Sequence, residues 1–384
     1  MTTCWVCGGA SEPFYRVSGI PTSSCVLHET RDGARSQPHG DLALAVCHTC
    51  GFIQNDAFDP RAVDYFAPYE ESQGASGTFN TFVDAQLDQL ATRHDLNGKT
   101  LLEVGCGKAE WLGRACERFG ATGIGYDPSY VPGRAEEGTD RFAVVKEFFH
   151  GDTGVHADLV ACRHTLEHVS NVGELISWMG AAASGDLGVV FIEVPDTQRI
   201  LDEGAFWDVY YEHAAYFTAG SLSNLHAHQG LNLLSLETGF SDQYLLSEAR
   251  VSTETQPIVG ASDIVESAHS FGVLASGEIE RWQMKMRGVD ATDRVVWAAT
   301  SKTVAFLAAV DAPVAAAVDI NRAKQGSFLP GSGTPIVGPE ALVDIDPKLV
   351  IVMNPIYLDE IQADIDRLGL NCQVVALGSS AESG

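Results

Sequence analysis

The chain has 384 residues, of which 45% are hydrophobic and 20% charged, and its 51 acidic against 24 basic side chains give a formal net charge of −27. This composition excludes wholesale disorder, and so acidic a surface repels nucleic acids and anionic membranes. The length is sufficient for two or three hydrophobic cores.

The sequence contains no apolar run of bilayer-spanning length, and its first residues lack the pattern of a signal peptide. We therefore predict a cytoplasmic protein with a small-molecule substrate and with no nucleic-acid or membrane partner. In that compartment its nine cysteines are expected to be thiols and metal ligands rather than disulfides. The sequence leaves the oligomeric state open.

The first predicted domain, residues 1–75, contains two Cys-x-x-Cys pairs, formed by Cys4 and Cys7 and by Cys47 and Cys50. Two cysteines at this spacing can grip one tetrahedral ion, and a glycine after each pair lets the backbone turn beneath the sulfurs. We predict a structural Zn²⁺ held by the four thiolates, because four protein ligands leave no coordination position for chemistry.

Other interpretations of this region stay open at the level of the sequence. The four cysteines can be free thiols, and Cys25 or His28, which lie between the pairs, can replace one of the ligands. We expect Cys25 instead to be a core cysteine and His28 to be a surface histidine.

The second predicted domain, residues 76–245, alternates short apolar runs with helical stretches. The apolar runs, which we predict to be strands, occupy residues 100–104, 121–127, 158–162 and 188–194. Strands that alternate with helices form βαβ units and a parallel sheet, which binds ligands beyond the carboxyl ends of its strands. The predicted fold class is therefore α/β, with a Rossmann-like core.

A glycine-containing loop follows the first of these strands. Gly105 and Gly107 permit a tight turn and close approach of a ligand, but Glu110 stands where a dinucleotide fingerprint has its third glycine. A carboxylate there is a poor neighbour for a pyrophosphate. Asp127 ends the second strand, 24 residues after Glu103, where an acid accepts hydrogen bonds from ribose hydroxyls. S-adenosylmethionine (SAM), which carries an adenosine without phosphates, fits this pattern better than NAD.

Three motifs in this domain resemble those of the class I SAM-dependent methyltransferases. They are Glu-Val-Gly-Cys-Gly at 103–107, Gly-Tyr-Asp at 125–127 and His-Thr-Leu-Glu-His-Val at 164–169. The one mild departure is Ala109, which replaces a further glycine of the usual loop. The resemblance implies that SAM is bound by Glu103, Gly105, Gly107, Asp127 and His164.

A second candidate segment follows the fourth strand and reads Phe-Trp-Asp-Val-Tyr-Tyr-Glu-His at 206–213. Thr218 is predicted to cap a helix that runs to about residue 229 and is closed by Gly230. His213 then lies on a loop between a strand end and a helix, where catalytic groups often sit. We expect two histidines of the helix itself, His226 and His228, to be solvated.

The third predicted domain, residues 246–384, begins with a helical stretch. Apolar runs that predict strands follow at 295–300, 314–318, 349–353 and 373–377, while the last residues, 379–384, are expected to fray. The spacing of these runs indicates a second, smaller parallel sheet with a Rossmann-like arrangement.

Nearly the whole chain resembles the sugar C-methyltransferases. The features that carry this resemblance are the two Cys-x-x-Cys pairs, called the knuckles below, the methyltransferase core, the Tyr-x-Glu-His motif at 210–213 and the second α/β domain. That family makes branched deoxysugars from nucleotide-linked keto sugars, as in antibiotic biosynthesis. The resemblance implies that His213 is the base, that His168 is a second active-site histidine, and that Tyr210 and Glu212 belong to the same site. It also implies a substrate between the second and third domains.

Lys302 matches the strand–loop–lysine segment of that family and is the candidate contact to a substrate phosphate. The family has glycines beside this segment, where this chain has Val296 and Ala298. A backbone that must hug a diphosphate needs such glycines, so their loss argues against a nucleotide contact of the loop. Lys302 is alternatively an ordinary lysine on a helix surface.

Carbon methylation next to a ketone requires removal of a proton, and a neutral imidazole with a pKa of about 6.5 can take it. We predict His213 as this base and the Tyr210 hydroxyl or His168 as the donor to the enolate oxygen. Glu212 then orients His213 or binds sugar hydroxyls. The alternative is that these histidines only pack or cap, as in methyltransferases for unrelated substrates.

Three other functions compete with this one. An O- or N-methyltransferase for a non-sugar small molecule uses the same core. The second is a non-catalytic ligand-binding protein whose cofactor pocket has degenerated, and its support is Ala109 and the missing glycines near Lys302. A dehydrogenase with a nicotinamide site in the third domain is disfavoured, because no G-x-G-x-x-G follows residues 295–296.

Overall fold

The structure is a computed structural model, and it describes residues 1–63, 69–131, 140–184, 187–254 and 256–378. The strands form three sheets: one antiparallel, one mixed and one parallel. The predicted frayed end at 379–384 lies outside the described residues.

The amino-terminal unit, called the head below, supplies most of the antiparallel sheet. Its elements are β1 (Thr2–Thr3), β2 (Ala10–Pro21), α1 (Arg31–Arg35), β3 (His39–Cys47) and β4 (Ile53–Asn55). The long pair of β2 and β3 has two register shifts, and such irregularities bend and twist a strand. Because the cysteines lie in the β1–β2 and β3–β4 turns, both knuckles meet at one end of this sheet.

The central unit contains the mixed sheet and its covering helices. Its first elements are α2 (Gly77–Arg93), β5 (Thr100–Val104), α3 (Glu110–Phe119), β6 (Thr122–Tyr126), β7 (Phe142–Val145), β8 (Leu159–Arg163), α4 (Val172–Ala182) and β9 (Val189–Pro195). Then follow α5 (Thr197–Glu203), β10 (Ala215–Tyr216), α6 (Ala219–His228), β11 (Leu231–Gly239) and β12 (Tyr244–Val251).

The order of the mixed sheet is β11-β12-β9-β8-β5-β6-β7. The last five strands of this order are mutually parallel, whereas β12 runs antiparallel to both of its neighbours. Helices cover both faces, so central strands such as β9 are apolar and buried nearly throughout. All four predicted strands are confirmed; β7 and the β11–β12 pair were not predicted.

The carboxyl-terminal unit contains the parallel sheet and its helices. Its elements are α7 (Ser262–Arg287), β13 (Arg294–Trp297), α8 (Ser301–Val310), β14 (Ala316–Val318), β15 (Ile336–Val337), α9 (Leu342–Ile345), β16 (Leu349–Val352), α10 (Leu358–Arg367) and β17 (Gln373–Ala376). The order of the sheet is β15-β14-β13-β16-β17. The predicted helix and four strands are confirmed, while β15 was not predicted.

One apolar cluster joins the three units. It contains Leu42 of the head, Phe206 of the central unit, and Trp282 and Phe306 of the carboxyl-terminal unit, all at most 3% exposed. The Trp282 and Phe306 rings meet edge to face with centroids 5.4 Å apart. The units therefore share a core, which fixes how the walls of the site below face one another.

The structure also bears on the membrane prediction. Across the described ranges, none of the helices combines the length and the apolar character that crossing a bilayer requires.

Candidate active site

The four knuckle cysteines converge, as the sequence predicts. Their sulfurs lie within 4.8 Å of one another, with Sγ–Sγ distances of 3.6 Å from Cys4 to Cys50 and 3.5 Å from Cys7 to Cys47. Zinc–sulfur bonds of about 2.3 Å in a tetrahedron put the sulfurs about 3.8 Å apart. The donor set and its spacing therefore fit a Zn²⁺ ion with four thiolates.

The backbone beneath the knuckles is shaped for the same purpose. Gly8 and Gly51 take positive φ angles of 72° and 70°, which favour glycine. Backbone N–H groups donate to the sulfurs of Cys4, Cys7 and Cys47 at 3.4 Å. Such bonds stabilise thiolates and hold them in place for a cation.

The knuckle end of the head is bound to the central unit. The Asn224 side chain of α6 donates to the Cys50 carbonyl at 2.9 Å, and the rings of Phe52 and Phe217 pack 5.6 Å apart. Strand β10 pairs with β4, with Ala215 opposite Gln54. The cysteine cluster thus lies in the part of the head that supports the segment just after the Tyr-x-Glu-His motif.

A cavity of about 650 Å³ lies where the three units meet. Its wall includes the loop after β5, the segments that follow β8 and precede β10, the loop after β13, and residues 69–76 of the head side. Parallel sheets bind ligands beyond the carboxyl ends of their strands, and two such sheet ends face this cavity. All the predicted cofactor, catalytic and substrate residues line it, except Glu212.

The glycine loop after β5 has the backbone that the sequence predicts. Gly105 and Gly107 have φ angles of 71° and 53°, and a Cβ on Gly105 would lie 2.0 Å from the Thr165 hydroxyl oxygen. The Gly107 N–H donates to the Asp127 carboxylate at 2.8 Å. Ala109, the departure from the usual glycine, also takes a positive φ of 58°.

Glu103, at the end of β5, is 2% exposed. Among the described residues, its Oε2 atom has no hydrogen-bond partner. Burial raises the pKa of this carboxyl to about 8. A buried acceptor without a partner beside a cavity is suited to receive a ligand donor such as a hydroxyl.

His164 lies in a network of charges under the cofactor side of the cavity. Its Nε2 is 2.7 Å from Glu193, whose carboxylate accepts two hydrogen bonds from Arg163, at 3.0 and 3.1 Å. Burial lowers the pKa of His164, but Glu193 and Glu167 outweigh it and raise the pKa to about 9. His164 also packs on Tyr244, with ring centroids 4.5 Å apart.

The Tyr-x-Glu-His segment brings its aromatic residues to the cavity wall. His213 is 3% exposed, and its ring centroid lies 4.1 Å from that of Tyr210 and 5.0 Å from that of His168. Burial, with His168 adding to it, lowers the pKa of His213 well below its usual range. Burial also raises the pKa of Tyr210 far above its usual range. Both groups are therefore neutral near pH 7.

His168 is held by the same segment. Its Nδ1 lies 3.1 Å from the Glu212 carbonyl oxygen, which can only accept, so Nδ1 carries the hydrogen. The Ala214 N–H donates to the Glu167 carbonyl at 2.8 Å. These two bonds tie the segment after β8 to the segment before β10, and they place both histidines side by side.

The Glu212 carboxylate points to the head. It accepts from the Ser24 N–H at 3.0 Å, from the Ser24 hydroxyl, and from the Tyr69 hydroxyl at 2.9 Å. The Ser24 hydroxyl is also 2.8 Å from that of Ser301. In the described part of the chain, this carboxylate is thus engaged with the head rather than with His213. Sequence reasoning missed Ser24 and Tyr69, because residues this distant along the chain share no motif with Glu212.

Lys302 is not an exposed helix lysine. Its Nζ is 2.5 Å from Asp208, and Arg199 contacts the other oxygen of the same carboxylate at 2.7 Å. All three side chains line the cavity. Asp208 stands five residues before His213 within the quoted Phe-Trp-Asp segment, but nothing in the sequence marks it as the partner of Lys302.

The loop after β13 has an unusual backbone at one of the positions where the resembling family has a glycine. Ala298 has a φ of 114°, a region that side-chain-bearing residues rarely adopt. The Ala299 N–H donates to Asp319 at 2.9 Å, and the Lys324 ammonium donates to the Ala299 carbonyl at 2.9 Å. The loop amide and carbonyl that a ligand would meet are thus already bonded within the protein.

Three smaller predictions can be compared with the structure. The helix cap at Thr218 is confirmed, with a reciprocal bond to Ser221. His226 was expected to be solvated, and this was wrong: it is 0% exposed and 3.0 Å from the Ser247 hydroxyl. Ser247 belongs to β12, which the sequence did not predict. Cys25 lies 3.4 Å from the Ser301 hydroxyl at the cavity, away from the knuckles.

Comparison with known proteins adds family information to this geometry. Residues 77–236 match the methyltransferase domain family, and residues 288–370 match the C-methyltransferase C-terminal domain family. C-methyltransferase NovU of Streptomyces niveus is 28% identical over 362 residues, which cover 86% of this chain and 84% of NovU.

Two solved methyltransferase structures are similar to less than half of this chain. Magnesium protoporphyrin IX methyltransferase ChlM from Synechocystis PCC 6803, with bound SAH, is 14% identical with a TM-score of 0.38 and covers 49% of this chain and 91% of its own. CalO1, a methyltransferase in calicheamicin biosynthesis in its SAH-bound form, is 19% identical with a TM-score of 0.36 and covers 46% and 56%.

Proposed function

This chain belongs to the SAM-dependent C-methyltransferases, and on that premise we propose that it methylates a carbon next to a ketone in a nucleotide-linked keto-deoxysugar. The membership accords with the predicted core and cofactor and removes support from the non-catalytic and dehydrogenase alternatives. It also favours carbon over oxygen or nitrogen as the methyl acceptor.

The observation that carries this proposal is the neutral imidazole of His213 at the cavity wall. The same cavity contains the glycine loop with Gly105 and Gly107. Because burial keeps the pKa of His213 low, the ring stays unprotonated near pH 7 and has a lone pair for the acceptor C–H. A carbon acid needs such a base, whereas a phenol or amine acceptor needs one much less.

Tyr210 is proposed as the donor to the enolate oxygen. Since burial holds its pKa far above neutrality, the phenol keeps its proton and can donate it in a hydrogen bond. Its ring contacts His213, so one substrate carbonyl group can meet both residues. His168 is the second candidate donor, and Glu212 positions the segment by its bonds to Ser24 and Tyr69.

Bound SAM supplies an electrophilic methyl group, so the protein has to deprotonate and position the acceptor rather than activate the donor. We propose that Gly105 and Gly107 let the cofactor approach the backbone. Glu103 and Asp127 are proposed to accept from its polar groups. His164 lies beneath the same wall, held by Glu193.

We assign the four-cysteine site a structural Zn²⁺. Support comes from the closed set of four sulfurs and from the pairing of β4 with β10. The ion holds the head against the segment that bears His213, and it takes no part in methyl transfer.

The nucleotide part of the substrate is proposed to meet Lys302 and Arg199. Both cations contact the buried Asp208 carboxylate, and Arg199 also pairs with the more exposed Glu203 at 2.9 Å, so the two cations lie together at the cavity wall. A diphosphate is the natural ligand of such a pair. The closed loop at Ala298 supports contact through these side chains rather than through backbone amides.

We further propose that residues 1–75, 76–245 and 246–384 act as the metal-binding, cofactor-binding and substrate-completing units. A cytoplasmic location is proposed as well. In the described residues the nine cysteines form no disulfide, and four of them are the proposed zinc ligands, as expected in a reducing compartment.

The test is hydrogen exchange at the acceptor carbon in D₂O, with keto sugar and without SAM. Wild-type protein should exchange the proton next to the ketone, and His213→Asn should slow this exchange by about 10²–10⁴-fold. His228→Asn, a change at an exposed histidine of α6, serves as the matched control and should keep the wild-type rate.

Exchange that persists in His213→Asn would place the base elsewhere. The nucleotide is tested separately, by comparing the nucleotide-linked keto sugar with the same sugar lacking the nucleotide. Lys302→Met should weaken binding of the first and leave the second unchanged. Equal effects on both would contradict the phosphate contact.

A further inference from the structure

We propose that Glu167, His168 and His213 form a second metal site, which takes a divalent first-row transition-metal ion such as Zn²⁺ through two imidazoles and one carboxylate. The consequence for catalysis rests on the function proposed above, since an ion on the His213 nitrogen occupies the lone pair that accepts the proton. The site therefore makes the enzyme sensitive to inhibition by such ions.

The three side chains already point to one place. Each offers one ligand atom, and these atoms all lie within 4.8 Å of one another at the cavity wall. Ligand atoms at about 2.0–2.2 Å from zinc lie about 3.3–3.6 Å apart in a tetrahedron. Small side-chain rotations are sufficient to close the present spacing around an ion.

The imidazole of His168 has the orientation of a metal ligand. Its Nδ1–H is directed to the Glu212 carbonyl at 3.1 Å, so the lone pair of the neutral ring is on Nε2. Metal-binding histidines are commonly fixed in this way, with the other nitrogen donating to a carbonyl or carboxylate. Glu212 is itself anchored by Ser24 and Tyr69, which makes this orientation rigid.

Glu167 gives an independent sign of a missing ligand. It is 2% exposed, and among the described residues its Oε2 atom has no hydrogen-bond partner. Its other oxygen is 3.5 Å from His164. A buried carboxylate oxygen without a donor is costly, and a cation bound there removes that cost.

The ligand type separates this site from the cysteine knuckles. Three nitrogen and oxygen ligands leave coordination positions directed to the cavity, as in open metal sites, whereas four thiolates close the other site. A chain with both sites filled therefore holds two ions of different chemistry. The soft cysteine site retains zinc while ions of the second site exchange.

The experiment uses full-length protein whose knuckles are loaded with zinc, and Co²⁺ as the probe. We expect one additional Co²⁺ per chain in equilibrium dialysis, with weak d–d absorption and without strong sulfur-to-cobalt bands. Glu167→Gln and His168→Asn should weaken this binding by about 10–100-fold. His269→Asn, at an exposed histidine of α7, should leave it unchanged.

Several outcomes would overturn the site. They are no additional Co²⁺ on the wild-type protein, strong sulfur-to-cobalt bands that mark exchange into the knuckles, or wild-type affinity in both variants. Absence of the additional Co²⁺ on the wild-type protein overturns the site without any variant, and if one variant fails to fold the other still locates the ion.

Its effect on catalysis is measured in the same samples. Co²⁺ should stop the D₂O exchange over the concentration range in which the absorption appears, and a chelator should restore it. Binding without loss of exchange would contradict His213 as the base but not the metal site. Exchange that depends on His213 in a protein that binds no second ion would contradict only the site.

Discussion

The chain contains two strand–loop–helix units with similar backbones, and their loops have different neighbours. In the central unit β5 leads through Gly105 and Gly107 to α3, and in the carboxyl-terminal unit β13 leads through Ala298 to α8. In both, an aspartate at the end of the neighbouring strand accepts a loop N–H: Asp127 at 2.8 Å and Asp319 at 2.9 Å.

The difference lies in what else the loops contact. The second loop is closed by Lys324, which bonds the Ala299 carbonyl and lies 3.5 Å from Asp319. The first loop has glycines at two of its positive φ angles and Ala109 at a third, and it faces the cavity beside Glu103, which has an oxygen without a partner among the described residues. The amides of both loops are bonded within the protein. The first, called the open loop, lies beside a carboxylate oxygen without a described partner, and the second, called the closed loop, is bonded by a buried ammonium.

The largest expected effect comes from Gly105→Ala. The new Cβ would meet the Thr165 hydroxyl at 2.0 Å in a backbone with a φ of 71°, so the open loop must deform. We expect SAM affinity, measured by titration calorimetry, to fall by about 100-fold or more. Gly98→Ala has the same positive φ but no atom within 4 Å. It should cost about 1 kcal/mol of stability without changing SAM affinity.

The closed loop is tested by Lys324→Met. Removing a buried cation leaves the Asp319 carboxylate without its counter-charge and the Ala299 carbonyl without its ammonium donor, so the free energy of unfolding in urea should fall by about 3 kcal/mol. SAM affinity should stay unchanged, since this loop serves the scaffold. Lys348→Met, which breaks an exposed ion pair with Asp293, is the control and should leave stability unchanged. Loss of SAM binding in Lys324→Met would contradict the proposal that the closed loop serves the scaffold and not cofactor binding.

The open loop should show a pH dependence that the closed one lacks. Since burial holds the pKa of Glu103 at about 8, the carboxyl is mostly protonated at pH 7 and must lose its proton to accept from the cofactor with both oxygens. Binding then releases a proton, and SAM affinity should rise by about tenfold between pH 7 and pH 9. Glu103→Gln should bind more weakly and without this rise. A flat profile in the wild type would contradict contact between Glu103 and SAM.

The smallest effect is expected from Ala298→Gly. Glycine relieves the strain of a φ of 114° but adds freedom to the unfolded chain, so stability should increase by about 1 kcal/mol. Thermal unfolding checks this, with Val296→Gly as the matched control. Because Val296 is a buried strand residue, its change to glycine should destabilise the protein. An unstable Ala298→Gly protein would show that the loop is not strained.

The fold could be predicted largely from the spacing of the apolar runs and from the residues that end them. Apolar runs closed by glycine or aspartate marked the parallel strands, because parallel strands are buried on both faces. The antiparallel pair β11–β12 was missed since its partly exposed β11 lacks a continuous apolar run. With β12 unseen, the burial of His226 against Ser247 could not be predicted.

For the site, local motifs were enough to collect the histidines, Tyr210 and the glycine loop around one cavity. The partners of Glu212 and Lys302 could not be predicted from local motifs. Tyr69 and Ser24 meet Glu212 across more than 140 residues of chain, and Asp208 meets Lys302 across 94. These contacts depend on how the three units pack together, and a short sequence pattern does not contain that information.

The strand pair β4–β10 has a consequence for engineering. Strand β10 begins two residues after His213 and pairs with a strand of the head. A chimera that grafts a foreign head onto residues 76–384 therefore also replaces the neighbour of the proposed base. Swapping heads between related enzymes would therefore alter turnover as well as solubility, and heads are best exchanged together with the loop from residue 206 to residue 217.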